Sequence, residues 1–281
     1  FVDSEKKIPI KVNNFYNKNT KKLSLFDIDL GNLVSICAKT LKKTKLIEFK
    51  PNDLTVESAW LSLSNYFKIL SGKTISVIGV GNIGSKISLK LVETGVDVRL
   101  NRKNYNFGVN ISNAINIIKP TSTVASATYI FDPVKACLHC DAIIGSSNTN
   151  NVINLNMVKV MKPKGIILDI GKGNISSEAI KFAIDNNIRV LRLDVNNSII
   201  NFINEYINYS KVTNLMGKKK IQKNISIVSG GFMGENGDVV VDNFKTPTQI
   251  LGIANGKGNF KKNLTKKDKK NLILLRKKFN V

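Results

Sequence analysis

The sequence predicts an α/β fold in which a doubly wound parallel sheet is inserted in a second, smaller lobe built from the N- and C-terminal segments. Strand and helix signals alternate from residue 72 to about 209, which is typical of a parallel sheet covered on both faces. A glycine-rich turn also joins the first strand of this series to its first helix. The predicted domains are 1–71, the first part of the smaller lobe, 72–212, the sheet domain, and 213–281, which completes the smaller lobe.

The first strand-helix-strand unit contains a dinucleotide-binding turn. Its apolar strand TISVI (74–78) runs into GVGNIG, which has the GxGxxG spacing, and a helix at 85–93 and a strand at 96–101 follow. The glycines let the chain turn sharply, approach a pyrophosphate and pack the helix against the strand. Free N–H groups at the start of the helix then point toward the phosphates. The predicted cofactor contacts of this turn are Gly79, Gly81, Asn82, Ile83 and Gly84.

The later elements are short apolar runs and helical stretches with recognisable caps. Asp132 and Pro133 begin one helix, and Pro163 with Gly165 separates another helix from its strand. We predict strands near 123–130 and at 142–146, 165–170 and 188–193, and helices from 133 and at 154–161, 176–185 and 197–209. In the flanking segments we predict helices at 33–41 and 56–70, the latter capped by Thr55, a glycine-dense loop at 229–238, and a basic amphipathic helix in the C-terminal tail.

The end of the second strand distinguishes the two nicotinamide dinucleotides. In NAD-binding proteins, an acidic residue about 20 residues after the glycine turn binds the adenosine ribose hydroxyls. Here Asn101 occupies that place, followed by Arg102 and Lys103. Arg102 can bind a 2′-phosphate through charge-assisted hydrogen bonds, whereas a carboxylate would repel that phosphate. The sequence therefore favours NADP over NAD, with Asn101 and Arg102 as cofactor contacts; an arginine that only faces solvent is the alternative.

Polar residues at the ends of later strands complete the predicted cofactor site. Ligands of doubly wound sheets bind outside the carboxyl ends of the strands. Ser146, Ser147 and Asn148 follow one strand and are assigned to the nicotinamide side, with an ordinary turn as the alternative. Gly171 and Lys172 follow the next strand and are assigned to the same edge.

The net charge of +23 raises the question of a polyanionic partner. Basic residues are spread along the chain, with denser runs only at 218–220 and 261–270. The chain is also rich in Ile and Asn, which share AT-rich codons with Lys, so we attribute the charge to coding bias and predict no dedicated nucleic-acid site. No apolar run is long enough to span a membrane, and Phe1 at the start is compatible with missing N-terminal sequence.

The cysteines do not predict a metal centre. Cys137 and Cys140 form CLHC around the only histidine, His139, but a structural zinc site needs four ligands and only Cys37 is left to help. We predict thiols buried on a core helix, with metal binding or redox chemistry as the alternative. So few cysteines also suit a reducing cytoplasm.

Three stretches of the chain, at 70–84, 161–179 and 192–195, resemble the nucleotide domain of the D-2-hydroxyacid dehydrogenases. In that family, the aspartate of an LDV strand contacts the nicotinamide amide, which the resemblance places at Asp194; a cap for the following helix is the alternative. The stretch from 148 to 174 is also similar, more distantly, to adenosylhomocysteinase, which keeps NAD bound while it cleaves a thioether. Both resemblances imply a Rossmann domain and a nicotinamide cofactor.

The resemblance does not extend to the catalytic residues. The catalytic Arg of the hydroxyacid family falls at Lys172, a point charge that can polarise a carbonyl or contact the cofactor phosphates. The family's Glu and His have no counterpart, because its TPHxGG-like stretch aligns with 228–234, where a glycine replaces the histidine. Glu235 and Asp238 are instead candidate acid or base groups, with a solvated loop as the alternative.

The sequence thus predicts an NAD(P)-dependent oxidoreductase that transfers hydride between nicotinamide and a small carbonyl or imine substrate. Two alternatives stay open: a lyase or hydrolase with permanently bound NAD, and a non-catalytic nucleotide-binding or sensor protein. The expected partner is a small molecule rather than a nucleic acid or a membrane, and a homodimer is left open. The expected location is the cytoplasm.

Overall fold

The structure, a computed structural model, describes residues 1–17, 22–213, 216–222, 225–229 and 231–280. Residue 230 of the predicted glycine-dense loop lies outside the described residues. The internal contacts divide the chain into two compact units, Phe1–Ile199 and Ile200–Val281. That residues 1–71 and 213–281 form one smaller lobe stays a prediction.

From β5 onward, the first unit alternates between strands and helices, as predicted. Its strands are β1 (Val2–Asp3), β2 (Lys7–Asn17), β3 (Lys22–Asn32), β4 (Glu48–Phe49), β5 (Thr74–Ile78), β6 (Asp97–Asn101), β7 (Ala127–Tyr129), β8 (Ala142–Gly145), β9 (Ile166–Asp169) and β10 (Arg189–Arg192). Its helices are α1 (Leu33–Thr40), α2 (Pro51–Phe67), α3 (Asn82–Glu93), α4 (Tyr105–Ile118), α5 (Pro133–Cys137), α6 (Leu155–Lys159) and α7 (Ser177–Asp185), and α8 (Asn196–Thr213) begins within it.

Strands β5 to β10 form a parallel sheet in the order β10-β9-β8-β5-β6-β7. The chain therefore winds outward from β5 in one direction and from β8 in the other. The last residue of β5, Ile78, pairs with Asn101 of β6 and Gly145 of β8, and Gly145 pairs with Asp169 of β9. This register aligns the carboxyl ends of four strands, and the crevice of a doubly wound sheet lies at such a reversal of strand order.

Each face of this sheet has its own apolar core, which explains why the strands are apolar throughout. Val77 of β5 is fully buried in one core with Leu63 of α2 and Leu91 of α3. The next residue, Ile78, is buried in the other core with Met157 of α6. Successive side chains of a strand point to opposite faces, so helices cover both faces of the sheet. The predicted doubly wound α/β fold is confirmed.

Several elements of the first unit differ from the prediction. Helix α4 is missing from the predicted elements, although Phe107, Ile111 and Ile115 have helical spacing, because its many asparagines are weak helix formers. The predicted cap at Thr55 is wrong, since α2 already begins at Pro51 and the Thr55 hydroxyl donates to the Pro51 carbonyl at 3.0 Å. The antiparallel pair formed by β2 and β3 was also not predicted.

Asp141 forms hydrogen bonds and ion pairs at the amino-terminal edge of the parallel sheet. Its Oδ2 accepts hydrogen bonds from the Thr74 N–H at 2.9 Å and from Lys162 Nζ at 2.8 Å, and Lys73 Nζ lies 3.8 Å from Oδ1. Burial raises the pKa of this carboxyl, but the hydrogen bonds from Lys162 and Thr74 outweigh it and hold the pKa below its usual value. The ionised carboxylate therefore stabilises the fold.

We expect Asp141→Asn to lower the free energy of unfolding by about 1–2 kcal/mol at neutral pH, since its lysine partners are partly exposed. The folded-state pKa lies below the unfolded one, so this contribution is present above the unfolded pKa and is lost as the pH falls through the folded pKa. Urea unfolding at successive pH values should show the two proteins converging below about pH 4. Asp185→Asn, at an exposed helix end, is the control; a pH-independent difference would contradict the argument.

The second unit combines a mixed sheet with one long basic helix. Its elements are β11 (Gly217–Gln222), β12 (Ile225–Ser229), β13 (Val239–Val241), β14 (Ile250–Ile253) and α9 (Lys266–Phe279), with sheet order β11-β12-β13-β14. Thr265 and Asp268 form a capping box at the start of α9. Leu275 of the predicted amphipathic tail helix, α9, is buried against this sheet. Among the described residues, no helix is long and apolar enough to cross a membrane.

Candidate functional site

The glycine turn after β5 lies beside the end of β6. The N–H groups of Gly79 and Val80 donate to the carbonyl of Asn101 at 3.0 and 3.4 Å, which fixes the turn against the neighbouring strand. Helix α3 begins immediately afterwards at Asn82, with Gly81 as its N-cap residue and no side chain capping its first N–H groups. An uncapped helix N-terminus leaves N–H donors and a positive dipole end free for an anion.

The three glycines of the motif differ in what the fold requires of them. Gly79 has φ +87°, and a Cβ there would lie 2.6 Å from Cβ of Ser147. A Cβ on Gly84 would lie 2.7 Å from Oγ of Ser146, so this glycine permits close packing of the helix. Gly81 has φ −110°, and a Cβ there would meet no atom within 4 Å. Neither the backbone nor packing requires a glycine at 81, so the open space suits a group that binds to α3.

Asn101, at the end of β6, is engaged in the fold itself. Its side chain is buried, and Nδ2 donates both hydrogens to the carbonyls of Ile130 and Phe131, at 2.9 and 2.8 Å. The amide therefore connects the ends of β6 and β7. Its role as a cofactor contact stays a prediction.

Arg102 lies against the glycine turn. Its Nη1 donates to the Val80 carbonyl at 2.6 Å, and its Cζ lies 3.9 Å from the centroid of the Phe107 ring. The Tyr129 hydroxyl donates to the Arg102 carbonyl at 2.8 Å, and burial, with a smaller effect of Tyr105, raises the pKa of that phenol. Backbone and side chain of Arg102 are thus both held, so its guanidinium is preorganised next to the turn.

The loops after β8 and β9 are joined by a buried amide that sequence analysis missed. The Oδ1 atom of Asn174 accepts from the Ser147 N–H at 3.0 Å, and its Nδ2 donates to the carbonyls of Ser147 and Thr149 at 2.8 and 2.9 Å. Asn174 is fully buried, and Asp169 at the end of β9 accepts hydrogen bonds from the N–H groups of Gly173 and Asn174. The only sequence signal was an asparagine closing a glycine-rich turn.

The same edge of the sheet contains most of the predicted cofactor residues. Ser146 Oγ donates to the Gly79 carbonyl at 3.0 Å, which joins the loop after β8 to the glycine turn. Gly171 packs closely against Ser147, because a Cβ added to Gly171 would collide with the Ser147 carbonyl oxygen. The predicted residues that share this edge are Gly79, Gly81, Asn82, Ile83, Gly84, Asn101, Arg102, Ser146, Ser147, Asn148, Gly171 and Lys172.

The model of the D-isomer specific 2-hydroxyacid dehydrogenase NAD-binding domain matches residues 49–212. The chain belongs to this family. The match begins at Phe49, shortly before α2, and ends one residue before the end of α8. It therefore contains every element at the site edge. The predicted resemblance to the nucleotide domain of the D-2-hydroxyacid dehydrogenases is confirmed. The predicted nicotinamide cofactor is confirmed with it.

Similar solved structures include a dipicolinate synthase from Bacillus halodurans, at 16% identity and a TM-score of 0.41 over 57% of this chain and 54% of that one. A dipicolinate synthase from Bacillus subtilis has 16% identity and a TM-score of 0.42, over 64% and 62%. D-lactate dehydrogenase with NAD+ from Lactobacillus jensenii has 18% identity and a TM-score of 0.40, over 50% and 48%. The chain thus spans less than two thirds of these proteins. A comparison with curated proteins gave no match.

Lys172, which the resemblance aligns with the family's catalytic arginine, has an unusual backbone conformation. Its φ is +62°, and its side chain is exposed, with no ion pair to another described residue. A lysine in the left-handed region costs on the order of 1 kcal/mol, and such strain is characteristic of functional loops. The site therefore presents an unpaired ammonium beside the loop after β8. Its catalytic role stays a prediction.

Asp194 and the two candidate acid or base groups have other partners. Asp194 Oδ1 accepts from the N–H of Asn196, the first residue of α8, at 2.9 Å. Glu235 and Asp238 belong to the second unit, where Lys218 Nζ lies 3.1 Å and 2.8 Å from their carboxylates. Roles of these three residues with the cofactor or substrate stay predictions.

The two thiols of the CLHC motif are enclosed in the fold. Cys137 and Cys140 are buried, and the Cys137 thiol donates to Ser76 Oγ at 3.5 Å. A hydrogen bond with Cys137 and burial raise the pKa of the Cys140 thiol. His139 is exposed with φ +51° in the turn after α5. Buried thiols are confirmed, although only Cys137 lies on the helix, and no metal-binding group of His, Cys, Asp or Glu occurs among the described residues.

Proposed function

We propose that the chain is an NADP-dependent oxidoreductase that transfers hydride between nicotinamide and a small carbonyl or imine substrate. Membership of a dehydrogenase NAD-binding-domain family supports the nicotinamide cofactor. The open space at Gly81 and the uncapped start of α3 fit a pyrophosphate. When bound, the dinucleotide would supply the hydride chemistry, and the protein would bind, orient and exclude water.

The placement of Arg102 carries the preference for NADP. β6 ends in a neutral asparagine whose amide donors are already occupied, so no carboxylate competes at the ribose position. Arg102 follows directly, with one hydrogen bond to the turn and its face on Phe107. A guanidinium has five N–H donors in a fixed fork, so donors remain for a 2′-phosphate.

Of the other residues at this edge, some would contact the cofactor and one would contact the substrate. The loop 146–148 lies between the glycine turn and the loop after β9, which suits the nicotinamide ribose. Lys172 would hold the substrate's carbonyl or carboxylate oxygen as a point charge. Asp194 would complete the nicotinamide end, in keeping with the family's LDV aspartate.

The cofactor preference is tested by Arg102→Ala. We expect the affinity for NADPH to fall about 10- to 100-fold, because a charge-assisted hydrogen bond contributes roughly 1.5–3 kcal/mol, whereas NADH affinity should change little. Calorimetric titration of both dinucleotides measures this. Arg189→Ala is the matched control, because Arg189 also stacks on an aromatic ring, 5.3 Å from Tyr66, but lies at the start of β10. Equal losses for NADPH and NADH would contradict the assignment.

Hydride transfer is tested separately by nicotinamide absorbance with a panel of 2-oxo acids, aldehydes and imines. Oxidation of NADPH with at least one substrate class supports the proposed reaction. Protein that binds NADPH but oxidises none of it would favour the sensor alternative. Purified protein that keeps its nicotinamide through dialysis would favour an enzyme that recycles a bound cofactor.

A further inference from the structure

A polar cleft of about 790 Å³ lies within the second unit, outside the segment matched by the dehydrogenase family. It is formed by β11, the turn at 235–238 and the beginning of α9, and every residue that lines it is polar, charged or glycine. Small-molecule sites typically measure roughly 300–1,000 Å³, so the cleft is large enough for a metabolite. Its lining suits a charged ligand rather than an apolar one.

Three carboxylates line this cleft, those of Glu235, Asp238 and Asp268, and two lysines pair with them, because Lys218 is shared by Glu235 and Asp238. Lys218 Nζ lies 2.8 Å from the Asp238 carboxylate, and Lys261 Nζ lies 3.0 Å from that of Asp268. Both aspartates are largely buried, with side chains 10% and 5% exposed, so these pairs form the fixed frame of the cleft. By formal charge, Lys218 and Lys261 offset two of the three carboxylates, and the exposed Glu235 shares Lys218 with Asp238.

Two further lysines bring the formal charge of the lining to +1, since four lysines and three carboxylates line the cleft. Lys220 of β11 and Lys267 of α9 line it, and neither has an ion-pair partner within the part of the chain that the structure describes. The surroundings reinforce this, because residues 200–281 hold 16 of the 43 Lys and Arg residues but five of the 20 Asp and Glu residues. An anion entering the cleft would meet unpaired ammonium groups.

Asn271 adds a largely buried hydrogen-bonding group to the cleft. It lies one turn after Lys267 on α9, is only 9% exposed and lines the cleft. Its side-chain amide makes no hydrogen bond to another described residue. The amide atoms keep some solvent exposure, because among the described residues Ser64 Oγ is the one fully buried side-chain N or O atom without a partner, so the amide is open to water or to a ligand. The amide can donate to an anionic oxygen and also accept from a neighbouring hydroxyl.

We propose that this cleft binds a small molecule that carries a phosphate group. Lys220 and Lys267 supply the positive charge, and Asn271 supplies a directed hydrogen bond at the base of α9. Lysine ammonium groups bind phosphate as point charges, which suits an open cleft without arginine forks. The site is independent of the nicotinamide site and of the function proposed for it.

The test uses the full chain and inorganic phosphate as probe, at constant ionic strength. The side-chain amide signal of Asn271 is followed by NMR, and binding is quantified by calorimetry. We expect a saturable shift of that signal, with Lys220→Gln and Lys267→Gln each weakening phosphate binding about fivefold. Lys269→Gln is the matched control, because Lys269 is an exposed lysine of the same helix that does not line the cleft.

Both target lysines are exposed, so the variants should fold, and their melting temperatures verify this. A phosphate effect confined to residues 79–84, with no shift at Asn271, would overturn the proposal. So would a non-saturable shift, or a loss of binding in the Lys269 variant equal to that in the other two, because general charge attraction would then be sufficient.

Discussion

Replacing Gly79 by alanine should destabilise the chain and remove most of its affinity for nicotinamide dinucleotides. The φ of +87° at this position costs a residue with a side chain about 1–2 kcal/mol. The added Cβ would also lie 2.6 to 2.7 Å from Cβ, Cα and N of Ser147. Two of those atoms are backbone, so the contact can be relieved only by moving the loop after β8. We expect a total loss of roughly 2–4 kcal/mol in unfolding free energy.

The matched control for this prediction is Gly72→Ala. Gly72 has a similar φ of +78°, but a Cβ there would meet no atom within 4 Å. It therefore carries the backbone cost without the collision. Urea unfolding of both variants isolates the steric contribution, and calorimetric titration with NADPH measures its effect on binding, expected to exceed tenfold. If both variants were equally stable and bound NADPH alike, Ser147 could not be the neighbour that requires Gly79.

Gly81→Ala separates stability from binding in the same experiment. Its φ of −110° is open to any residue, and its Cβ would contact no protein atom. The variant should thus unfold like the parent protein. Its NADPH affinity should fall, because the methyl group would enter the space that we assign to the pyrophosphate.

The sheet could be predicted because local signals and global burial agree. Strand β5 is apolar at consecutive residues, since Val77 and Ile78 enter different cores, and this is the pattern of a strand between two layers of helices. Asp132 accepts from the N–H groups of Val134 and Lys135 as its sequence position indicates. Such signals lie within a few residues of the structure that they specify.

Features that depend on distant contacts could not be predicted in the same way. Asn174 was an ordinary turn residue in sequence, and only the fold brings it to Ser147. Asn101 occupies the sequence position of a cofactor contact. The sequence does not show that the fold brings the carbonyls of Ile130 and Phe131 to its amide, where they accept both of its hydrogens. The cleft of the second unit likewise joins β11 to α9, elements far apart in the chain.

Replacing Asn174 by alanine should have an effect comparable to that of Gly79→Ala, although no backbone strain is involved. The change removes three hydrogen bonds, one accepted from the Ser147 N–H and two donated to the carbonyls of Ser147 and Thr149. Each contributes roughly 1 kcal/mol, and the buried partners left behind raise the cost. We expect a loss of about 3 kcal/mol in unfolding free energy.

Asn186→Ala is the matched control for this second prediction, because the Asn186 amide makes one hydrogen bond, to the Phe182 carbonyl at 2.8 Å, at an exposed helix end. It should cost less than about 0.5 kcal/mol. Asn174→Asp should not restore stability, since a carboxylate would face the carbonyls that now accept from Nδ2. Because Asn174 also aligns the loop 146–148 over Gly171, cofactor affinity should fall together with stability in both Asn174 variants. A stable Asn174→Ala protein with weakened NADPH binding would instead mean that the amide positions the loop for the cofactor alone.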